Sequence, residues 1–432
     1  MAEKKNFTIE NYNGTDYDTL YPETNSGQVL LDSDARVTTG LGSGSTLDDA
    51  LQSVVKDGGA FQVGDTLTTA RTNLGDKWLL CNGTQITQTD YPALVGLLGA
   101  KPFNWISKGT STTANIDYIV NKTTATGDLF LAKSDTPVND IYSCYYSTDL
   151  LSWQSLKTSD GRFSIWCANG TWIILLSNHS GSYTQSRYYS GENMDFSNFV
   201  DINGIRGWID GVAYWNGKYY LSGSDTSLEQ SNSSIFIYTD LSQTPTILHL
   251  NISPRGQLSV LPDGVAFCFG GGYTQSQYGI VVVDAQNSVS TYSVTLTDYH
   301  ARATSIQYFN GYYYITTYEN TSPTITHTLF RSTTLNGSYS KVMYNDTEEV
   351  TANNITITDN YLITDTGYYI DKENNVYKQA NPIKATVPIL VGKDKYYTMV
   401  NTTAYQSNIA ASANLPTVST ASGLYTYIKA KS

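Results

Sequence analysis

Charge is scarce in this 432-residue chain: Asp, Glu, Lys and Arg together make up 15%. Acidic residues outnumber basic ones 38 to 26, for a formal net charge of −12, and no basic run occurs. Nucleic acid is therefore excluded as the main partner, because phosphate contacts need clustered Lys and Arg. Histidine is equally sparse. His179, His249, His300 and His327 show no metal-ligand spacing, and no metal is expected. Cys81, Cys144, Cys167 and Cys268 form no Cys-x-x-Cys pair and all sit in apolar runs, which predicts core thiols. There is no Gly-x-Ser-x-Gly, no phosphate-binding loop and no implied cofactor. No apolar stretch is long enough to span a bilayer, so membrane insertion is not expected. The start, Met-Ala-Glu-Lys-Lys-Asn, leads into polar sequence without the apolar core of a secretion signal, so synthesis in a cytoplasm is expected.

What the chain has in abundance is tyrosine, with 35 residues among 12% aromatics. Tyr, Thr, Ser and Asn with few charges suit short strands with neutral, hydrogen-bonding surfaces. These strands repeat. Asn169-Gly170, Asn216-Gly217, Asp263-Gly264 and Asn310-Gly311 each precede an apolar or aromatic run, and the glycines at 170, 217, 264 and 311 are 47 residues apart. Weaker copies stand at Gly127-Asp128 and Asp359-Asn360. Asn-Gly between apolar runs signals a type I′ hairpin, whose two central residues need positive φ. A second marker follows each turn: Tyr146, Tyr189, Tyr238, Val283 and Phe330. Four short strands per 40- to 50-residue unit predict a mainly β chain, a β-propeller. Six units are counted, with five or seven admissible, and an irregular β-sandwich is the alternative. The propeller is placed at 105–382.

The flanks read differently. Residues 1–60 are an extended arm with a short helix, where Leu47, Ala50, Leu51 and Val54 form one apolar stripe. Residues 61–104 and 383–432 are the two halves of a module interrupted by the propeller. Insertion of this kind is tolerated when the guest's ends lie close together.

Gly75-Asp76-Lys77-Trp78-Leu79-Leu80-Cys81-Asn82-Gly83-Thr84-Gln85-Ile86, followed by Tyr91-Pro92-Ala93-Leu94, resembles the phage tail-collar module. The departures are Asp76-Lys77 before Trp78 and Thr84 between Gly83 and Gln85. Leu415-Pro416 and Gly423 to Lys431 look like the last strand of phage tail-fibre proteins, and Tyr17 to Pro22 with Gly27 to Leu31 resemble a virion-proximal arm. The resemblance implies a homotrimeric tail fibre of a phage or phage-like particle. It would be assembled in a bacterial cytoplasm, located in the virion, and joined by its arm to other tail or baseplate proteins. Ser147-Thr148-Asp149-Leu150-Leu151-Ser152-Trp153 resembles the Asp-box turn of sialidase-like propellers, which is structural in that family.

Candidate ligand residues lie at the opposite end from the Asn-Gly turns. Arg162, Arg206, Arg255 and Arg302 fall where the innermost strand of a unit begins, and guanidinium pairs bidentately with carboxylate or phosphate. The alternative is that they pair with Asp160, Asp210 or Asp298 and tie blades together. Two long loops share Gly-Ser/Gly-Tyr-Thr-Gln-Ser, bringing Tyr183, Gln185, Tyr273 and Gln275 to the same end. Tyr rings stack on sugars, and Gln and Ser supply hydrogen bonds. The propeller's glutamates, Glu192, Glu229, Glu319, Glu348, Glu349 and Glu373, occupy no inner-strand position, so a paired-carboxylate glycosidase is not expected. The sequence therefore predicts a non-catalytic receptor-binding protein that takes a host surface glycan. A structural tail or capsid-decoration part and a glycan-cleaving depolymerase are the alternatives.

Overall fold

The structure is a computed structural model. It describes residues 63–431 except 99–101, 113–115, 139, 178–183, 206–207, 225–232, 251, 253–254, 271–277, 297–301, 322–323 and 380–381. The arm at 1–60 and the stripe Leu47–Val54 lie outside the described residues. The described residues form two compact units, 63–98 with 413–431 and 102–412.

The larger unit is a β-propeller of seven four-stranded blades. Blade 1 is Tyr118–Thr123, Asp128–Val138, Ile141–Ser147 and Gln154–Ser159. Blades 2 to 6 follow in chain order, and their innermost strands are Phe163–Ala168, Ile209–Trp215, Arg255–Leu261, Arg302–Phe309 and Ile355–Ile357. Blade 7 is Leu390–Val391, Lys395–Val400 and Thr403–Asn408, completed by Ile106–Thr110 from the start of the unit.

The ring follows from how each strand spends its two faces. In blade 2 the run Trp172-Ile173-Ile174-Leu175 is fully apolar because both faces are covered. Trp172 and Ile174 pack with Leu129 and Leu131 of blade 1, while Ile173 and Leu175 pack with Leu221 and Phe236 of blade 3. The same sharing joins blades 3 and 4 through Tyr220 and Phe267, 4 and 5 through Cys268 and Ile315, and 5 and 6 through Tyr314 and Leu362. Ile363 and Tyr396 join 6 and 7, and Met399 and Phe130 join 7 to 1, which closes the circle.

Six of these blades are the six units counted in the sequence. The seventh corrects the boundary at 382/383. Residues 390–408 belong to the propeller, because their outer partner, Ile106–Thr110, comes from the other end of the inserted chain. The marker residues Tyr146, Tyr189, Tyr238, Val283 and Phe330 all lie in third strands.

Three hairpins are built as the sequence predicts: Asn169, Asn216 and Asn310 have φ of 48, 47 and 46°, and Gly170, Gly217 and Gly311 have 68, 76 and 85°. The fourth is different. Leu261 pairs with Gly264, so the turn is Pro262-Asp263 and Gly264 is already strand. Proline's fixed negative φ forbids a type I′ turn there.

The turn Ser147–Trp153 is held by side chains. The Ser147 hydroxyl accepts from the Asp149 and Leu150 amides, Asp149 Oδ1 accepts from Leu151 and Ser152 at 2.8 Å, and Trp153 Nε1 donates to Leu150 O. Burial pushes the Asp149 carboxyl up, but these hydrogen bonds outweigh it and hold the group below the usual carboxylate value. A depressed folded-state value stabilises above the unfolded value near ~3.9, and that stability is lost as pH falls through the folded value. Asp149→Ala is expected to cost roughly 1 kcal/mol, discounted because the carboxylate is largely at the surface. Denaturant titration at neutral pH and at pH below ~3 should show the difference between wild type and variant shrink in acid.

The smaller unit joins segments from before and after the propeller in one antiparallel sheet, Thr66–Thr69, Tyr425–Lys429 and Trp78–Leu80, with Tyr425–Lys429 central. A short helix, Pro92–Leu97, begins on proline, whose fixed φ and missing N–H suit a first helical position. Leu94 and Val95 are fully buried with Cys81, Ile86, Leu415 and Ile428. Leu97 is 65% exposed, whereas Val95 is fully buried.

Candidate functional site

At the hairpin-turn end of blade 6 lies a cleft of about 430 Å³. The first hairpin loop supplies Asn360 and Tyr361, the third strand Tyr369, the following turn Asp371, Lys372 and Glu373, the fourth strand Tyr377, and the segment before the closing strand Pro102.

Tyr369 and Tyr377 lie opposite each other in the ladder and stack, with ring centroids 5.0 Å apart at 15°. Tyr361 meets Tyr369 edge-on at 5.6 Å. Beneath them Phe103, 4% exposed, touches Tyr361 at 5.3 Å, Tyr369 at 5.1 Å and Tyr396 of blade 7 at 5.1 Å. The aromatic wall is thus braced from below.

Charge sits on the rim. Asp371 Oδ1 accepts from the Glu373 and Asn375 amides at 3.0 and 2.9 Å, and Oδ2 accepts from Asn375 Nδ2 at 3.1 Å. Burial works against its charge, but the hydrogen bonds from Asn375, Tyr377 and Glu373 win and hold the carboxyl below the usual value. The tyrosines go the other way. The bond to Asp371 keeps the Tyr377 phenol protonated, and burial pushes Tyr361 up and Tyr369 to about 12. Around neutral pH the cleft therefore offers phenolic donors, carboxylate acceptors and an exposed lysine over apolar ring surface. A carboxyl held this low is a poor general acid near neutrality.

Those residues singled out from sequence that are described lie elsewhere. Arg162 is exposed at the start of blade 2, 5.8 Å from the centre of the Tyr142 ring with Nε 3.5 Å from its hydroxyl. Arg255 and Arg302 are the first residues of their innermost strands, and only their backbones are described, opposite Cys268 and Tyr318. Gln185, in the third strand of blade 2, donates at 3.1 Å to Asp201 Oδ1, which also accepts from Arg187 Nε at 2.9 Å. Arg206, Tyr183, Tyr273 and Gln275 lie outside the described residues.

Of the cleft residues, the sequence reading used only Asn360, as half of a weak turn copy, Tyr361, as part of the strand after it, and Glu373, as a glutamate outside the inner strands. The available signal was the pair Tyr369 and Tyr377 flanking Asp371-Lys372-Glu373, a charged turn between two aromatics. Among the described residues, no group of three or more His, Cys, Asp or Glu is placed to hold a metal.

No protein family matches the chain, and no curated protein matches its sequence. Solved structures share its outline at low identity. The Kuenenia stuttgartiensis hydrazine synthase is 8% identical with a TM-score of 0.43, covering 70% of this chain and 97% of that one. A neuraminidase-like protein from A/bat/Guatemala/164/2009 is 9% identical, TM-score 0.40, covering 72% and 96%. The six-bladed Aleuria aurantia lectin is 9% identical, TM-score 0.36, covering 73% and 99%. Likeness at this level carries no residue role across to this chain.

Proposed function

We propose that the chain is a receptor-binding tail fibre of a phage or phage-like particle, whose propeller holds a host surface glycan without cleaving it. The observation that carries the glycan reading is the blade 6 cleft: stacked and edge-on tyrosines beside an ionised Asp371 and an exposed Glu373. Aromatic faces cover the apolar side of a sugar ring, and carboxylates accept from its hydroxyls. The assignment to a tail fibre rests on the collar resemblance of Trp78 to Gly83 and of the C-terminal strand. It is supported by their meeting in one small sheet. The resemblance further implies a homotrimer, attached to tail or baseplate proteins through the arm at 1–60. Weak sites presented together bind tightly by avidity.

The test is retention on a panel of bacterial strains and on their isolated surface polysaccharides, with released reducing sugar measured in the same tubes. Saturable binding without sugar release is expected. Tyr361→Ala with Tyr377→Ala should weaken single-site affinity about tenfold, as loss of ~1.4 kcal/mol of stacking implies. Sugar release would make the chain a depolymerase. Absence of binding to every strain and polysaccharide would make it a structural tail part.

A further inference from the structure

The innermost strands surround a central channel, and its hairpin-turn end widens into a cavity of about 420 Å³ bounded by blades 2 to 6. Its polar lining is Asn169, Ser259 and Gln307, with ring surface from Tyr214 and Tyr308 and apolar surface from Val260. No charged side chain is among the residues that line it. Toward the other end, Gln257 of blade 4 donates its amide to the hydroxyl of Tyr118 in blade 1. Those two strands stand on opposite sides of the ring, so the bond lies across the channel. The cavity is therefore a cup, open at the turn end.

We propose that this cup binds an uncharged monosaccharide or a polyol of similar size, at a site separate from the blade 6 cleft. The volume is within the ~300–1,000 Å³ usual for small-molecule sites. A charged ligand would lose hydration with no counter-charge to replace it. Amide and hydroxyl groups both donate and accept, which matches the mixed demands of sugar hydroxyls. The lining is also held in place. Gln307 Nε2 donates to Ser259 Oγ at 3.2 Å, leaving its second N–H for a ligand. Tyr214 packs against Tyr219 at 4.8 Å and Tyr308 against Tyr313 at 5.0 Å. Groups already fixed lose little freedom on binding.

Cys167 also lines the cup, half-buried, whereas the other three cysteines are buried. Burial pushes its thiol up to about 11, so it alkylates slowly at neutral pH and reports on access to the cavity.

The experiment is saturation-transfer NMR on the full chain carrying Tyr361→Ala and Tyr377→Ala, which removes the blade 6 cleft, with glucose, galactose and N-acetylglucosamine, and with glucuronate and glucosamine as charged controls. At least one neutral sugar should receive saturation, and the charged sugars should not. That sugar should slow maleimide labelling of Cys167 severalfold. Adding Val260→Trp, at a 43% exposed position, should abolish transfer with the thermal transition unchanged. If Val260→Trp does not fold, Gln307→Ala with Ser259→Ala takes its place. The proposal is overturned if no neutral sugar receives saturation, if charged sugars respond equally, or if transfer survives in the folded channel variant. Transfer seen in the wild-type chain but absent once Tyr361 and Tyr377 are replaced would place the sugar in the blade 6 cleft alone, so the two sites fail separately.

Discussion

Phe103→Ala is expected to destabilise the propeller by roughly 3–5 kcal/mol and to loosen the tyrosine cleft at the same time. Phe103 is buried among Tyr361, Tyr369 and Tyr396, so it fills the wedge between blades 6 and 7. Truncation removes that filling and leaves a cavity under the aromatic wall. The backbone makes the prediction sharper. Phe103 has φ of 64°, a left-handed conformation that costs an aromatic residue about 1–2 kcal/mol. Alanine keeps that cost and loses the packing, whereas glycine loses the packing and is relieved of the cost. Phe103→Gly should therefore be more stable than Phe103→Ala, the reverse of their order in regular structure. Urea titration of the two variants checks this directly. Equal or inverted midpoints would show that the packing, not the backbone, sets the cost.

The second large effect belongs to the seam between blades 1 and 7. Asp128, at the start of the second strand of blade 1, accepts from the Lys393 amide at 3.0 and 3.2 Å and from the Tyr397 hydroxyl at 3.0 Å. Thr123 Oγ1 adds a bond at 2.9 Å within blade 1. Burial, then the bond to Asp128, keeps the Tyr397 phenol protonated and donating. One carboxylate thus fastens the last blade to the first, and bonds to a charged acceptor are the stronger kind. Asp128→Ala is expected to cost roughly 1–2 kcal/mol, because the half-buried Tyr397 hydroxyl and the Lys393 amide lose a charged acceptor. The loss should also be local. Hydrogen exchange should accelerate first in 390–408 and 106–110, while Phe267 and its neighbours in blade 4 keep their protection. Uniform acceleration around the ring would show that the seam is not the weak point.

Blades 1 to 6 were legible because their signals are local. An Asn-Gly or related turn and an apolar run after it fall within each unit, and an apolar or aromatic marker follows about 20 residues on in five of them, so the sequence repeats wherever the blade repeats. Blade 7 was hidden because its fourth strand is Ile106–Thr110, which pairs with Thr403–Asn408 at the far end of the inserted chain. No local period can report such a pairing. Its own hairpin also lacks the Asn-Gly mark, turning through Gly392 to Asp394 instead. The Pro262-Asp263 turn shows a subtler limit: the 47-residue spacing of glycines is real, but the register of the ladder decides which two residues turn.

The two candidate sites divide in the same way. By itself the sequence determined a β chain of repeated hairpins, few charges, an excess of tyrosine and a module split between the two ends, because composition and period fix which faces must be buried. Only the tertiary structure decided where tyrosines become a site. Tyr369 and Tyr377 are ordinary strand aromatics until Phe103, more than 250 residues earlier in the chain, packs beneath them. Likewise Asn169, Ser259 and Gln307 share a cavity only because ring closure brings the innermost strands of different blades together around one axis. Ring closure is set by volume and side-chain contact between distant strands, and nothing in a single blade's sequence carries that information.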